Sequence, residues 1–153
     1  MNSSTASPVS ASTRRVDDLL AHYGESHQNP KNELIHFIAI PLIMLSLVGM
    51  LFAAHPYAAY AFIAASMVYY ARLSVVFLAV MLLWAALTIA LLFAMGALVL
   101  PLSIAMFTGA WILQFIGHRI EGKKPSFFED IQYLWIGPLF VLSKLFGRLG
   151  LRW

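Results

Sequence analysis

The apolar residues of this chain come in long blocks, and this arrangement constrains the fold more than any other feature. The blocks run over residues 34–54, 57–71, 73–95, 98–117 and 131–146. A transmembrane helix needs about 20 apolar residues, so the second block is short for a crossing. Charged residues make up only 11% of the chain, well below the roughly 25% typical of soluble proteins. The pattern predicts an all-α integral membrane protein with about four transmembrane helices.

The N-terminal part of the chain is polar and is predicted to precede the first crossing. Residues 1–12 are rich in Ser, Ala and Thr and are expected to form a disordered tail. Residues 13–153 are expected to form a single membrane-embedded helical domain. Apolar residues at i, i+3, i+4 and i+7 spacing over 16–23 predict a short amphipathic helix. The Asn29-Pro30 pair then predicts the start of the next helix, with Asn29 as its N-cap.

The basic residues predict how the chain is oriented in the membrane. They cluster before the first block, at Arg72, in the segment 118–130 and near the C-terminus, whereas the other two turns carry none. The positive-inside rule places these basic segments, and therefore both termini, on the cytoplasmic side. Because the last block is basic at both ends, it is expected to form a re-entrant or interfacial helical hairpin that breaks at Gly137-Pro138. The expected location is a bacterial inner membrane, or the endoplasmic reticulum in a eukaryote.

Four of the five histidines fall at the cytoplasmic boundary that this layout predicts. They are His22, His27, His36 and His118. His55 falls about 30 Å away across the hydrocarbon core and is excluded from any shared site. Because the chain has no cysteine, metal ligands would be nitrogen and oxygen, which suits iron, zinc or manganese. The alternative is that these histidines cap helices and contact lipid headgroups.

Two polar stripes on predicted helices would complete a metal site. Asn32 and His36 are four residues apart and share one helix face. Gln114, His118 and Glu121 follow one another at i, i+4, i+7 spacing. If the stripes face each other, Asn32, Gln114 and Glu121 become candidates for the outer groups that orient the imidazoles. Spacing alone leaves both a metal site and helix capping open.

Two motifs in this chain resemble the Mpo1-like family, also called DUF962. The first is S-H-Q-N-P-K-N-E-L-I-H at residues 26–36, followed by Pro41. The second is W-I-L-Q-F-I-G-H at residues 111–118, followed by Glu121, a lysine pair and a proline. The motifs occur in the order that the family has, and the resemblance covers about residues 16–150.

The resemblance implies an activity, a cofactor and a set of ligands. The activity is that of an Fe(II)-dependent dioxygenase that shortens long-chain 2-hydroxy fatty acids by one carbon, known as α-oxidation. Matched by position, the iron ligands would be His27, His36 and His118. His22 is a further candidate ligand. Glu121 matches an acidic position of the family and would be either a catalytic group at the metal or an outer partner of the ligands.

The expected partners follow from the same resemblance. They are a long-chain 2-hydroxy fatty acid, O₂ and membrane lipid, with the acyl chain lying in the bilayer between helices. Arg119 and Lys123 are most simply topology determinants, and we also expect them to steer the substrate carboxylate. The net charge of +3 is carried by residues that flank the spans and does not indicate nucleic-acid binding. Two other functions stay open: a non-catalytic membrane scaffold or lipid-binding protein, and a zinc-dependent lipid hydrolase with Glu121 as base. The sequence leaves the oligomeric state open.

Overall fold

The computed structural model describes residues 15–25, 27–122 and 133–152. Every regular element in these ranges is helical, which confirms the all-α prediction. The elements are α1 (Arg15–Gly24), α2 (Pro30–Ala54), α3 (Pro56–Ala71), α4 (Val75–Met95), a 3-10 turn (Gly96–Leu98), α5 (Val99–Glu121) and α6 (Ile136–Leu149). The predicted tail over residues 1–12 and the candidate Lys123 lie outside the described residues.

The helix boundaries follow local signals in the sequence. The side chain of Asn29 accepts a hydrogen bond from the backbone N–H of Lys31 at 3.0 Å, and Pro30 begins α2, as predicted. The amphipathic helix α1 is confirmed, and it buries Val16, Leu20 and Tyr23. Gly96 ends α4 with a φ of 52°, a conformation that glycine adopts without steric cost.

The antiparallel pairing of α2 with α5 is the central feature of the fold. Two glycines allow the helices to approach closely: Gly117 of α5 lies against Asn32 of α2, and Gly49 of α2 lies against Ser103 of α5. A Cβ atom at either glycine would collide with the facing side-chain oxygen. Because the helices run in opposite directions, the first turns of α2 lie beside the last turns of α5.

The C-terminal helix α6 packs against α1 and against the first turns of α2. Its residue Gly137 faces Ile40, whereas the Nζ of Lys144 lies 3.2 Å from the Oε2 of Glu33, so α6 runs antiparallel to α2. The predicted break at Gly137-Pro138 is wrong. Pro138 lies in the first turn of α6, where the N–H that proline lacks would have no helical partner. The described part of this region is therefore a single helix and not the predicted hairpin.

An apolar cluster fixes α6 to the rest of the bundle. Its buried members come from α1, α3, α4 and α6, and they are Val16, Leu20, Tyr23, Tyr70, Phe77, Met81, Ile136, Leu139, Phe140 and Phe146. Two hydrogen bonds add to this packing. The indole N–H of Trp135 donates to the Oγ of Ser66 at 2.8 Å, and the hydroxyl of Tyr70 donates to the carbonyl of Trp135 at 3.2 Å. The segment that leads into α6 is thereby held against α3.

Two described segments are long and apolar enough to cross a membrane. They are Pro30–Ala54, which is α2, and Val75–Glu121, which contains α4 and α5. Helix α4 exposes large apolar side chains such as Val75, Leu83 and Phe93, as a lipid-facing surface would. The finer count of about four crossings stays a prediction.

Candidate metal centre

Three histidines meet where α2 and α5 lie side by side. His27 lies in the turn before α2, His36 in the second turn of α2, and His118 in the last turn of α5. Their ring centroids are 4.2 Å apart for His27 and His36, 5.7 Å for His27 and His118, and 5.5 Å for His36 and His118. All three side chains are buried, and one nitrogen from each lies within 4.8 Å of the others. The group has the composition and spacing of a metal site.

The hydrogen bonds of two of these rings fix where their protons are. The Nδ1 of His27 lies 2.8 Å from the carbonyl oxygen of Tyr23, and the Nδ1 of His36 lies 2.9 Å from that of Asn32. A carbonyl oxygen only accepts, so each neutral ring carries its proton on Nδ1. Both Nε2 atoms then present lone pairs, and they face each other at 2.8 Å. Two lone pairs at this distance require a cation between them, either a proton or a metal ion.

The same geometry fits a metal ion. Two imidazole nitrogens that bind one ion at right angles, each about 2.1 Å from it, would lie about 3.0 Å apart. The observed separation of 2.8 Å between the Nε2 atoms is close to that value. Metal-binding histidines usually donate their other N–H to a carbonyl or a carboxylate, as His27 and His36 do. His27, His36 and His118 could therefore hold a metal ion through nitrogen alone.

Glu121 attaches the turn that carries His27 to the end of α5. Its Oε1 accepts a hydrogen bond from the backbone N–H of Gln28 at 3.0 Å. Its Oε2 accepts from the backbone N–H of Asn29 at 3.0 Å and from the side-chain amide of Asn32 at 3.1 Å. Hydrogen bonds of this kind to an ionised carboxylate are stronger than those between neutral groups. The structure thus places Glu121 beside the histidine group and in contact with the backbone that positions His27.

The two candidate amides are both buried on the inner faces of the helix pair. Asn32 lies between α2 and α5, where its side chain contacts Gly117 and donates to Glu121. Gln114 lies one helical turn before His118 on the same face of α5. Asn32 also supplies the carbonyl that accepts the Nδ1 proton of His36. Asn32 is therefore connected both to a histidine of the group and to Glu121.

Other candidate residues lie apart from the three histidines. The side chain of His22 is 64% exposed, and its Nδ1 lies 3.5 Å from a carboxylate oxygen of Glu25. Arg119 is exposed near the end of α5. His55 is exposed and caps the start of α3, where its Nδ1 accepts from the N–H of Tyr57 at 3.3 Å. It is 19 positions from His36 along one helix, about 28 Å, so the predicted separation of His55 from the group is confirmed.

A cavity of about 320 Å³ is lined by residues that flank the histidines along the chain, although not by the histidines themselves, and the sequence analysis missed it. Its walls come from α1, α2, α5, the turn before α6 and the start of α6, and they are Tyr23, Ile40, Ile43, Met44, Leu47, Phe107, Trp111, Gln114, Tyr133, Leu134 and Gly137. The α2 residues of this set follow His36 at helical spacing on its own face. That periodicity is a signal that could have revealed one wall of the cavity.

Comparison with known proteins assigns the chain to a family. Residues 13–149 match the model of a family described as 2-hydroxy-palmitic acid dioxygenase Mpo1-like. The chain belongs to the Mpo1-like family. It is also 30% identical over 141 residues to the 2-hydroxy-palmitic acid dioxygenase MPO1 of Saccharomyces cerevisiae, an alignment that covers 86% of this chain and 79% of that protein. No solved structure matches the chain. The family resemblance of the two histidine motifs is confirmed.

Membership of the Mpo1-like family gives the geometry a chemical context. The two motifs that carried the resemblance meet in the histidine group, because the first supplies His27 and His36 and the second supplies His118. The cavity beside them is almost wholly apolar and reaches along the facing sides of α2 and α5. A nitrogen ligand set next to an apolar cavity suits metal-dependent chemistry at the polar end of a lipid.

Proposed function

We propose that this protein is a membrane-embedded non-haem Fe(II) dioxygenase that shortens long-chain 2-hydroxy fatty acids by one carbon. The observation that carries the proposal is the pair of facing Nε2 atoms of His27 and His36, which His118 joins beside an apolar cavity. The family description and the name of the yeast relative support the substrate class and the use of oxygen.

The proposed reaction balances with oxygen as the only oxidant. One 2-hydroxy acid, R–CH(OH)–COOH, and one O₂ give R–COOH, CO₂ and H₂O. The bond between C1 and C2 breaks, C2 becomes the new carboxyl carbon, and C1 leaves as CO₂. His27, His36 and His118 would hold Fe(II), which when bound would supply coordination positions for O₂ and for the hydroxyl and carboxylate of the acid.

The residues of the chain itself would position the substrate and exclude water. The buried surroundings of His36 and His118 keep solvent from the reacting end, and the apolar walls of the cavity accept the acyl chain. Glu121 and Asn32 hold the backbone around His27 and His36 in place. Arg119, exposed near the end of α5, is a candidate for attracting the carboxylate before it enters.

The proposal includes a location for this site at the cytoplasmic boundary of a four-crossing protein, in a bacterial inner membrane. The histidine group lies where α2 begins and α5 ends, beside the basic residues that the positive-inside rule assigns to the cytoplasm. Helix α6 supports a re-entrant segment, because it starts at the level of Ile40 and ends near Glu33, at the start of α2.

The engagement of Glu121 weakens the case for a zinc-dependent hydrolase that uses this residue as its base. Both carboxylate oxygens accept hydrogen bonds from the turn before α2 and from Asn32, so they face protein N–H groups. A general base must instead reach the water that it activates. A purely structural role for the histidines would leave the protein without bound metal, which metal analysis detects.

The experiment that tests the function follows the fate of 2-hydroxyhexadecanoate given to anaerobically purified, Fe(II)-loaded protein. We expect pentadecanoate and CO₂ to form only after O₂ is admitted. Hexadecanoate lacks the hydroxyl that completes the chelate and should react on the order of 100-fold more slowly, if about 3 kcal/mol of transition-state binding is lost. Equal turnover of the two acids, or product formed without O₂, would refute the proposal.

A further inference from the structure

The cavity and the histidine group are built from residues that lie close together along the chain. Tyr23 lies four residues before His27, and its ring stacks on that of His27 with centroids 4.3 Å apart. Ile40 lies four residues after His36 on α2, and Gln114 lies four residues before His118 on α5. One end of the cavity is thus built from residues that lie four positions from each histidine.

The cavity extends away from the histidines between the two central helices. Along α2 its walls continue to Leu47, and along α5 they continue back to Phe107. Leu47 lies seven positions after Ile40, and Phe107 lies seven positions before Gln114, which is about 10 Å along a helix in each case. That length is about two thirds of the roughly 15 Å depth of one leaflet of the hydrocarbon core. The space has the direction and apolar lining that the first part of an acyl chain needs.

Gln114 is an unusual member of this lining. Its side chain is only 7% exposed, and its Oε1 has no hydrogen-bond partner among the residues that the structure describes. A buried acceptor that is left unpaired destabilises the folded state, so such a group usually meets a donor on a ligand or an ordered water. The acceptor lies at the end of the cavity that adjoins His118.

We propose that the cavity binds the acyl chain and that Gln114 is a specificity-determining residue that recognises the 2-hydroxyl group. The hydroxyl proton would be donated to the Oε1 of Gln114, while the chain runs from this point toward Phe107. Hexadecanoate fills the same cavity but offers no donor to Gln114. The identity of the ligand rests on the proposed function. The role of Gln114 concerns binding alone and can be tested without turnover.

The test measures binding to the metal-free protein under anaerobic conditions, so that no acid is consumed and no preference arises from a hydroxyl bound to iron. The probe is a hexadecanoate brominated in the carboxyl half of its chain, which quenches the fluorescence of Trp111 in the cavity wall. A Trp111→Phe variant gives the blank. Unlabelled acids then displace the probe. We expect 2-hydroxyhexadecanoate to do so at about tenfold lower concentration than hexadecanoate, as one additional hydrogen bond to a buried group provides.

Two changes should abolish this tenfold preference. In Gln114→Met the side chain keeps its length and loses the amide, so both acids should bind as hexadecanoate does. The second change is in the ligand. 2-Methoxyhexadecanoate keeps the oxygen on C2 but has no hydroxyl proton to donate to Gln114, so it should bind the wild-type protein as hexadecanoate does. The matched control is Ser103→Ala, which removes another buried polar group of α5 that does not line the cavity and should keep the preference.

The possible outcomes separate this inference from the proposed reaction. A tenfold preference that survives in Gln114→Met, or that 2-methoxyhexadecanoate shares, would overturn the role of Gln114. If the brominated probe quenches the wild-type protein no more than the Trp111→Phe variant, the cavity is not the site of the acyl chain. If the preference depends on Gln114 but no chain shortening follows when Fe(II) and O₂ are supplied, the binding inference is supported and the proposed function fails.

Discussion

The carboxylate of Glu121 provides the sharpest test of how the histidine group is assembled. Glu121→Ala removes the acceptor for three N–H donors, at Gln28, Asn29 and Asn32. The bond to Gln28 is exposed, so water replaces it at little cost. The bonds to Asn29 and Asn32 are partly buried, and each charge-assisted bond of this kind contributes about 1.5 kcal/mol. Their loss releases the turn that carries His27.

The expected consequence is weaker metal binding without loss of the site. If about 3 kcal/mol of this restraint is lost, the affinity falls by up to about 100-fold, within the range for groups that orient metal ligands. The assay is anaerobic competition for Fe(II) against a chromophoric chelator. The matched control is Glu33→Ala, which removes a carboxylate that lies near the start of α2 but pairs with Lys144 and Arg148 of α6. It should change the affinity by less than about fivefold, since such partly exposed pairs contribute at most about 1 kcal/mol.

Two results would contradict this reasoning about Glu121. An affinity that is unchanged in Glu121→Ala would show that the turn is positioned by other contacts. Complete loss of metal, equal to that caused by removing a histidine, would make Glu121 a ligand and not a positioning residue. Circular dichroism of both variants checks that the helices are intact.

Three further predictions concern packing, chain length and topology. Gly117→Ala introduces a Cβ that collides with α2 and should lower the free energy of unfolding by about 1–3 kcal/mol, measured by thermal unfolding. Gly109 has open space around it, so Gly109→Ala should not lower stability. Equal melting temperatures of the two variants would refute the close approach of α2 and α5. Leu47→Trp should fill the far end of the cavity and slow turnover of 2-hydroxyhexadecanoate much more than that of 2-hydroxyoctanoate, and an equal effect on both acids would contradict the proposed direction of the chain. Single cysteines at positions 3 and 152 should both be labelled only from the cytoplasmic side, and external labelling at 152 with internal labelling at 3 would exclude the topology.

Local signals in the sequence predicted most helix boundaries. Asn29 and Pro30 mark the start of α2. The side chain of Asn29 accepts from a free backbone N–H of the first turn, and Pro30 lacks an N–H that would have no helical partner there. The meeting of His36 with His118 was predictable as well, because two long antiparallel helices bring the start of one beside the end of the other. Such features depend on chain order and helix geometry, both of which can be read from the sequence.

Features that depend on which way a short helix faces were harder to predict. His22 lies on the same short helix as Tyr23, but α1 buries Tyr23, and the residue before it on a helix points about 100° away. A proline such as Pro138 is compatible both with a helix break and with the first turn of a helix. The structure has Pro138 in the first turn of α6, where the neighbouring Gly137 packs on Ile40. The cavity requires α1, α2, α5 and the start of α6 to meet, and no single stretch of sequence encodes that arrangement.

Metal content of the histidine variants shows whether His27, His36 and His118 hold one metal ion. The measurement is metal per protein chain, by mass spectrometry, on anaerobically purified wild-type protein and on four single alanine variants. We predict about one iron per chain in the wild type and in His22→Ala, whose side chain is exposed, and loss of bound metal in His27→Ala, His36→Ala and His118→Ala with the fold retained. Full metal retention in these last three variants would show that the three histidines do not bind the metal ion.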